Sequence, residues 1–372
     1  MADTTISTAN RAEQWDNDAF LEYVRENEFS GFMGTDENAA IQLDENLIKK
    51  PGDAVTLSLI GRFKNNNVGA GTLEGNEEAV GNYGHKIEIK VVRNAFTINN
   101  FEDQATGIDI RNKGRTQMKN WAMDLMREET LEACHSINGI NYGTATNAQH
   151  DAWAADNADR IVYVGYATAP ADHSAGLVQL TGGTDTLSAT VVSLARRKAR
   201  TANPRMKPIR VNGQEEWYVM FCDPYAFRDL KNDSTISAAQ RDALARGQGN
   251  PLFRAGDIIW DGVICREVPE IADFIDDATG VWGAGATANS LKTGGASSVR
   301  VGVSFLLGAQ AVGIAWGKRL TTTTDTREYG FVKGFGVEEF RGIEKLLFQT
   351  PDGNTNPTDH GVVTVYTASA VD

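Results

Sequence analysis

Two alternating segments on either side of a glycine-rich run constrain this chain more than any other feature. In "AVTLSLIGRF", Val55, Leu57, Leu59 and Phe63 fall on one face, with Thr56, Ser58 and Arg62 opposite. In "HKIEIKV", Ile87, Ile89 and Val91 alternate with Lys86, Glu88 and Lys90. A period of two belongs to a half-buried strand, so the pair reads as an antiparallel ribbon. The turn "KKPGD", Lys49 to Asp53, opens it. Between the segments stand Gly69, Gly71, Gly75, Gly81 and Gly84. A dinucleotide loop would need a third glycine where Glu74 stands, and a helix after it. Glu74, Glu77 and Glu78 also occupy the place of any phosphate. The glycines therefore read as the tip and shoulders of the ribbon.

The second segment continues through "VRNAFTI", where the apolar set moves to Val92, Phe96 and Ile98. That phase change at Val91–Val92 predicts a bulge or bend. His85 to Asn99, fully extended, would reach about 50 Å. A compact globule of this length is only about 54 Å across. A lone two-stranded ribbon cannot bury its own apolar face. Two readings follow: a ribbon that projects and is covered by another copy of the chain, or an ordinary hairpin inside a mixed sheet with a loose insert. On the first reading, Val55, Leu57, Leu59, Ile87 and Ile89 are candidate inter-subunit contacts.

Elsewhere, residues 14–28 predict a short helix capped by Asp16 or Asp18, with Phe20, Leu21 and Val24 as its stripe. Residues 103–137 predict a long helix from the recurrence of Ile110, Met118, Trp121, Ala122, Leu125 and Met126, with Asn138–Gly139 as its left-handed stop. "GTATNAQHDAWAADNADR" is polar and small and reads as a linker. From Arg160 the pattern is mixed. Strands are predicted at "RIVYVGYA", "EWYVMFCDP", "DIIWDGVICREVP", "REYGFVKGFGVEEFRGIEKLLF" and "GVVTVYTAS". Helices are predicted at "DTLSATVVSLARRKAR", "YAFRDLKND" and "AAQRDALARG". "VRVGVSFLLGAQAVGIAWGK" reads as a strand running into a buried helix or a further extended segment. The class is α+β or mixed α/β.

Charge and motifs exclude several functions. The net charge is −13 over 372 residues, which opposes a protein that grips nucleic-acid backbones. No run of eighteen apolar residues occurs, so no spanning helix is expected, and Met1–Arg11 lacks the features of a secretion signal. Cys134, Cys222 and Cys265 lie far apart, which fits neither a disulfide framework nor a metal knuckle and suits a reducing compartment. H-E-x-x-H, G-x-S-x-G and the phosphate-loop motif are missing, and the five histidines are scattered along the chain. "KTGG" at Lys292–Gly295 lacks its S-x-x-K partner and reads as a loop. "DGNTNPTDH" at 352–360 starts like a calcium loop but carries Pro357 and lacks the closing Glu. No cofactor and no metal are expected. Cys134–His135 reads as a buried thiol beside a surface imidazole, and Glu338–Glu339 as solvated carboxylates. The cluster Arg196, Arg197, Lys198, Arg200, Arg205, Lys207 and Arg210 has two readings. It meets acidic loops of neighbouring copies, with Glu74, Glu77 and Glu78 as partners, or it complements the dipole of its own helix.

"FMGTDENAAIQL", "LIKKPGDAVTLSL" and "GTLEGNEEAV" precede a long helix, and "EWYVMFCDPYAFRDLKND" and "GDIIWDGVICREV" come later. Together they resemble the major capsid proteins of tailed bacteriophages related to the N4-like podoviruses, from about Trp15 to about Phe348. The resemblance implies the HK97-like coat fold: an N-terminal arm at 1–50, an extended β-hairpin loop at 51–100, a peripheral domain with a spine helix at 101–159, an axial domain at 160–325, and a return to the peripheral domain with a C-terminal strand at 326–372. It implies a structural protein rather than an enzyme. Hexamers and pentamers would form through axial domains, and loops and arms would overlap neighbours to close an icosahedral shell. That shell would enclose double-stranded DNA without sequence-specific binding, and an acidic chain suits a smooth inner wall. With only about fifty residues ahead of the loop, a separate scaffolding protein is expected, together with a portal and the option of a decoration protein, and no membrane. The expected location is the virion, assembled in the bacterial host cytoplasm. The alternatives are an encapsulin-like nanocompartment shell and, further off, a soluble hydrolase.

Overall fold

The computed structural model describes residues 28–45, 54–60, 63, 67–78, 80, 82–105, 110–166, 170–211, 215–244, 253–254, 257–276, 282–283, 289–349 and 357–371. The predicted helix at 14–28 falls outside them except for its last residue, and the turn at Lys49–Asp53 falls outside them entirely. The chain divides into two units, each described by itself.

The larger unit comprises Phe29–Ile89, Glu128–Gly317 and Arg341–Asp372. Its centre is a mixed sheet in the order Ile161–Tyr163, Val362–Ala368, Val301–Leu307, Glu215–Cys222, Val263–Glu267, Asp257–Trp260 and Phe253–Arg254, with Ile209–Val211 also beside Glu215–Cys222. Val301–Leu307 and Val362–Ala368 pair antiparallel, Val303 opposite Tyr366, and every residue of both is buried. Burial on both faces explains why neither segment, VGVSFLL or VVTVYTA, alternates apolar with charged residues. The helix Ala189–Thr201 turns Val191, Val192, Ala195 and Ala199 inward against this sheet. The helix Pro224–Asn232 starts at Asp223, whose carboxylate accepts from Ala226 N–H, with proline at the first helical turn. Asp223 also holds Arg300 at 2.7 Å, and Arg300 binds Asp276 at 2.8 Å, which ties together the ends of two central strands.

Three local expectations change. The supposed linker contains the helix Asn147–Asp156, at whose start Gln149 accepts from Thr146 N–H. The T-x-x-Q spacing of a capping box was the signal that small polar composition masked. Asn138–Gly139 is not the helix stop, because the helix Ile110–Cys134 ends four residues earlier. Both residues have positive φ, 49° and 82°, and Ile137 and Ile140 exchange backbone hydrogen bonds around them. That is the two-residue hairpin turn for which Asn-Gly is the preferred dipeptide. In "VRVGVSFLLGAQAVGIAWGK" the extended alternative holds and the buried helix does not: it is two strands, Val301–Leu307 and Val312–Arg327, that belong to different sheets.

The smaller unit includes Lys90–Arg127 and Lys318–Phe340. Here the strand Lys90–Asn99 buries Val92 and Ile98 and leaves Val91 in solvent. The phase shift predicted from sequence is present, and the extended run breaks at Ile89, between Asn82–Glu88 and Lys90–Asn99. Phe96 stacks on Phe335 at 5.3 Å, and the Arg115 guanidinium lies 4.5 Å over the Phe335 ring. Gly114 sits where any Cβ would meet Phe96 Cζ at 2.5 Å, so glycine near the start of the helix Ile110–Cys134 lets it close on that ring. The distal part of Val312–Arg327 and the start of Val332–Lys345 are joined through Glu328–Gly330.

Candidate assembly surfaces

The ribbon forms as the alternation requires. Ala54–Ile60 pairs antiparallel with Asn82–Glu88, Val55 opposite Ile87, Leu57 opposite His85 and Leu59 opposite Tyr83. Its base is rooted in the same chain. Val55 and Ile87 form a buried cluster with Ala315 and Leu346, and Leu57, Tyr83 and Ile89 pack around it. Close approach depends on missing side chains: a Cβ on Gly313 would meet Ile87 Cδ1 at 2.6 Å, and one on Gly342 would run into Glu88 O. Glu344 completes the root, 3.2 Å from His85 Nε2 and accepting from Glu88 N–H at 3.4 Å.

This corrects the idea that the whole apolar face waits for a neighbour. Ile87 is 0 % exposed and Val55 8 %, so both are core residues of their own subunit in this conformation. Leu57 and Ile89 are half-buried on the same cluster, and the side chain of Leu59 lies outside the description. Each fully buried aliphatic side chain contributes about 1.5–3 kcal/mol to holding the root in place.

Beyond the root the picture reverses. Ile60 is 71 % exposed, Phe63 67 %, Leu73 71 % and Val80 53 %. The tip is a series of local turns. Gly69 N–H donates to Asn67 Oδ1 at 2.9 Å, Gly75 N–H to Glu77 Oε2 at 2.7 Å, and Asn76 N–H to Leu73 O at 3.0 Å. Gly69 and Gly75 have φ of +65° and +84°, a region that other residues enter at a cost. Gly69 and Gly75 therefore serve local turns. Glu74 and Glu77 are exposed, and Glu78 is half-buried with a bond of its own.

The basic cluster is largely occupied within its own unit. Arg196 pairs with Asp261 and Arg200 with Glu216 at 3.4 Å. Lys198 donates to Ile161 O at 2.6 Å and to Ala158 O at 3.0 Å. Lys207 pairs with Glu37 at 3.4 Å. Arg197 and Arg205 are exposed, and neither has an ion-pair partner among the described residues. Lys198 and Arg200 sit in the last turn of Ala189–Thr201, where cations favour the helix dipole.

Two further expectations are overturned. The histidines are scattered in sequence, yet His135, His150 and His173 meet in the interior. The His150 and His173 rings stack at 5.2 Å, and His135 stacks on Tyr142 at 4.0 Å. His135 is therefore not a surface residue. The helix ends at Cys134, so helical spacing no longer directs the next side chain. Likewise Glu339 is buried, whereas Glu338 on the other face of the strand pairs with Lys318 at 2.8 Å. Burial pushes the Cys134 thiol up to about 12, the state of an inert core cysteine. Among the described residues no group of three or more His, Cys, Asp or Glu side chains is arranged to hold a metal, and no helix is long and apolar enough to cross a membrane. "KTGG" lies in turns, with Lys292 Nζ on Asp276 O, and the stretch 352–356 lies outside the described residues.

A two-stranded ribbon rooted in its own core, with an apolar outer half and an α+β body, defines a shell-forming coat subunit of the HK97-like fold. The protein is similar along its whole length to the capsid asymmetric unit of cyanophage Pam1, at 30 % identity and a TM-score of 0.86, covering 100 % of both chains. The capsid of Ralstonia phage GP4 shares the fold, with 22 % identity and a TM-score of 0.70 over 100 % of this chain and 99 % of that one. The major capsid protein of Pseudomonas phage KPP25 is 28 % identical over 356 residues, 91 % of this chain and 90 % of that protein. The model of the phage capsid protein family matches residues 3–371, and the chain belongs to that family as a major capsid protein.

Proposed function

We propose that copies of this chain form the hexamers and pentamers of an icosahedral shell around double-stranded phage DNA, and that the outer half of the ribbon is its principal overlapping contact. The observation that carries this is the contrast along one ribbon: a root sealed by Ala315 and Leu346, and an outer half with Ile60, Phe63, Leu73 and Val80 in solvent. Large exposed apolar groups in succession mark a surface that is covered in the assembled state. The contact residues are accordingly Ile60, Phe63, Leu73 and Val80, with Glu74 and Glu77 as acidic flanks and Arg197 as an exposed cation. Many such modest contacts, each reversible, give a durable particle through multivalency.

In this reading the outer half of the loop at 51–100 overlaps a neighbour, 160–325 supply the axial contacts and 101–159 with 326–372 the peripheral ones. The role is structural and not enzymatic. The net charge of −13 suits a wall that does not trap packaged DNA. A separate scaffolding protein, a portal and the virion as final site, after assembly in the host cytoplasm, complete the proposal. Electron microscopy of the purified protein, alone and with a scaffolding partner, tests it. Closed shells of many copies are expected, while a preparation that stays monomeric or dimeric under all these conditions overturns it. Tight DNA binding by unassembled subunits at physiological salt would contradict the passive inner wall.

A further inference from the structure

The smaller unit carries a turn of unusual backbone conformation. Glu328 and Tyr329 have φ of 51° and 54°, followed by Gly330 at 94°. Two consecutive non-glycine residues in the left-handed region are disfavoured and persist only where the surroundings impose them. The surroundings do so here: Asn100 N–H donates to Phe331 O at 2.8 Å, and Asn100 Nδ2 donates to Gly330 O at 2.9 Å. The result of this latch is that Tyr329 stands fully in solvent, beside Phe101 at 68 % and Phe331 at 46 % exposure. A turn held in a disfavoured conformation so as to present an aromatic ring outward is the geometry of an anchor.

The same unit offers a receptacle. A groove of about 580 Å³ runs across the sheet below the turn, lined among others by Arg93, Phe96, Thr323, Arg327, Phe335 and Gly336. Gly334 and Gly336 add no side chain to it, Thr323 Oγ1 lies 2.9 Å from where a Gly336 Cβ would stand, and the stacked Phe96 and Phe335 are part of its lining. The strand above it is exposed from Thr322 to Arg327, as a segment awaiting cover would be. An apolar ring with one hydroxyl fits a groove that mixes aromatic faces with threonines and two ion-paired guanidinium groups, Arg93 with Glu338 and Arg327 with Asp325.

Resting on the coat-protein reading, we propose that Tyr329 of one copy inserts into the Phe96–Thr323–Gly336 groove of a second copy, a contact separate from the ribbon. Knob and groove flank the same turn, so two copies can exchange their Tyr329 side chains reciprocally about a two-fold axis. Glu328 and Lys333 have no ion-pair partner among the described residues, and each such insertion brings an acid and a base of adjacent copies to the same rim.

The test uses the full chain with Tyr329→Cys and Thr323→Cys combined. The three native cysteines are buried, so they do not compete for oxidant. Oxidation of assembled shells is expected to give covalent oligomers of this chain on a non-reducing gel, and neither single variant alone is expected to do so. Assembled shells of the double variant that yield only monomer, or a band joining Tyr329→Cys to a different protein, overturn the proposal. Tyr329→Ala is expected to lose about tenfold in assembled particles at fixed subunit concentration, Tyr329→Phe far less, and Gly336→Trp as much as the alanine. Unchanged assembly in Tyr329→Ala counts against the anchor. Wild-type shells formed in the same experiment keep a failure here distinct from a failure of the coat reading.

Discussion

Tyr163 Oη lies 2.5 Å from His173 Nδ1, and both side chains are out of solvent. Tyr142 Oη donates to Asn289 O, so its oxygen accepts from His173 Nε2 at 2.9 Å, and Tyr163 is left to donate to Nδ1. Both ring nitrogens of a neutral imidazole are thus engaged, and a second proton would displace one of these bonds.

Acid is therefore expected to destabilise the subunit. Burial holds His173 down to about 3 and His150 to about 4, and it places His135 well below its ordinary value, with Lys345 adding to the last. Burial also holds His360 to about 4, helped by Arg160 and Lys207. Asp151 and Asp172 face the cluster and partly oppose the shift. Above about pH 6.5 both folded and unfolded chains are neutral at these sites, and stability is full. Below it the unfolded chain binds protons that the folded one refuses, so stability falls by about 1.4 kcal/mol per pH unit for each such histidine until its folded pKa is reached. Melting temperature followed from pH 7 to pH 4 should decline, and His150→Gln should flatten the slope. A flat profile for the wild-type subunit would refute the prediction.

Ile87 and Leu73 lie on one ribbon and should separate folding from assembly. Ile87→Ala removes a fully buried side chain and should cost the isolated subunit about 2–5 kcal/mol in chemical denaturation. Leu73→Ala should change subunit stability by less than about 0.5 kcal/mol while reducing the yield of shells. Equal effects of both variants on the monomer would contradict the division into root and overlap.

Gly342→Ala probes the seat of the ribbon. Its Cβ would collide with Glu88 O, which is backbone and cannot swing aside. Loss of about 1–3 kcal/mol is expected from this overpacking, with faster hydrogen exchange at Val55 and Ile87. Wild-type exchange rates in the variant would show that the root tolerates displacement.

Lys345 and Asp359 form a buried pair at 2.8 Å, with Lys345 Nζ also donating to Ser136 O and Trp153 Nε1 donating to Asp359 Oδ2. Lys345→Met leaves the carboxylate alone in the interior and should cost about 3–5 kcal/mol. Lys345→Met combined with Asp359→Leu should recover most of that loss. A double variant no better than the single one would show that packing, and not the stranded charge, sets the cost.

Much was legible from residue order alone. Alternation at Ala54–Ile60 and through Lys90–Asn99 fixed two strands and the change of face between them. The continuous apolar run of "EWYVMFC" marked a central strand, and the turn read at Asp223–Pro224 is the start of the helix Pro224–Asn232. These signals are local, because side-chain direction in a strand and capping at a helix end depend on neighbours in sequence. Other matters depended on residues far apart in the chain. Alternation says that Ile87 is covered but not by what, and only the fold brought Ala315 and Leu346 onto it. His135, His150 and His173 carry no common spacing and meet because three separate elements converge. Tyr329 looks ordinary in sequence, and only the latch from Asn100 turned it outward. The sequence by itself determined which faces are apolar and where the chain extends. The tertiary structure decided which of those faces are already satisfied within the subunit and which remain for another copy, because burial belongs to pairs of surfaces and a pattern along one segment specifies only one of the two.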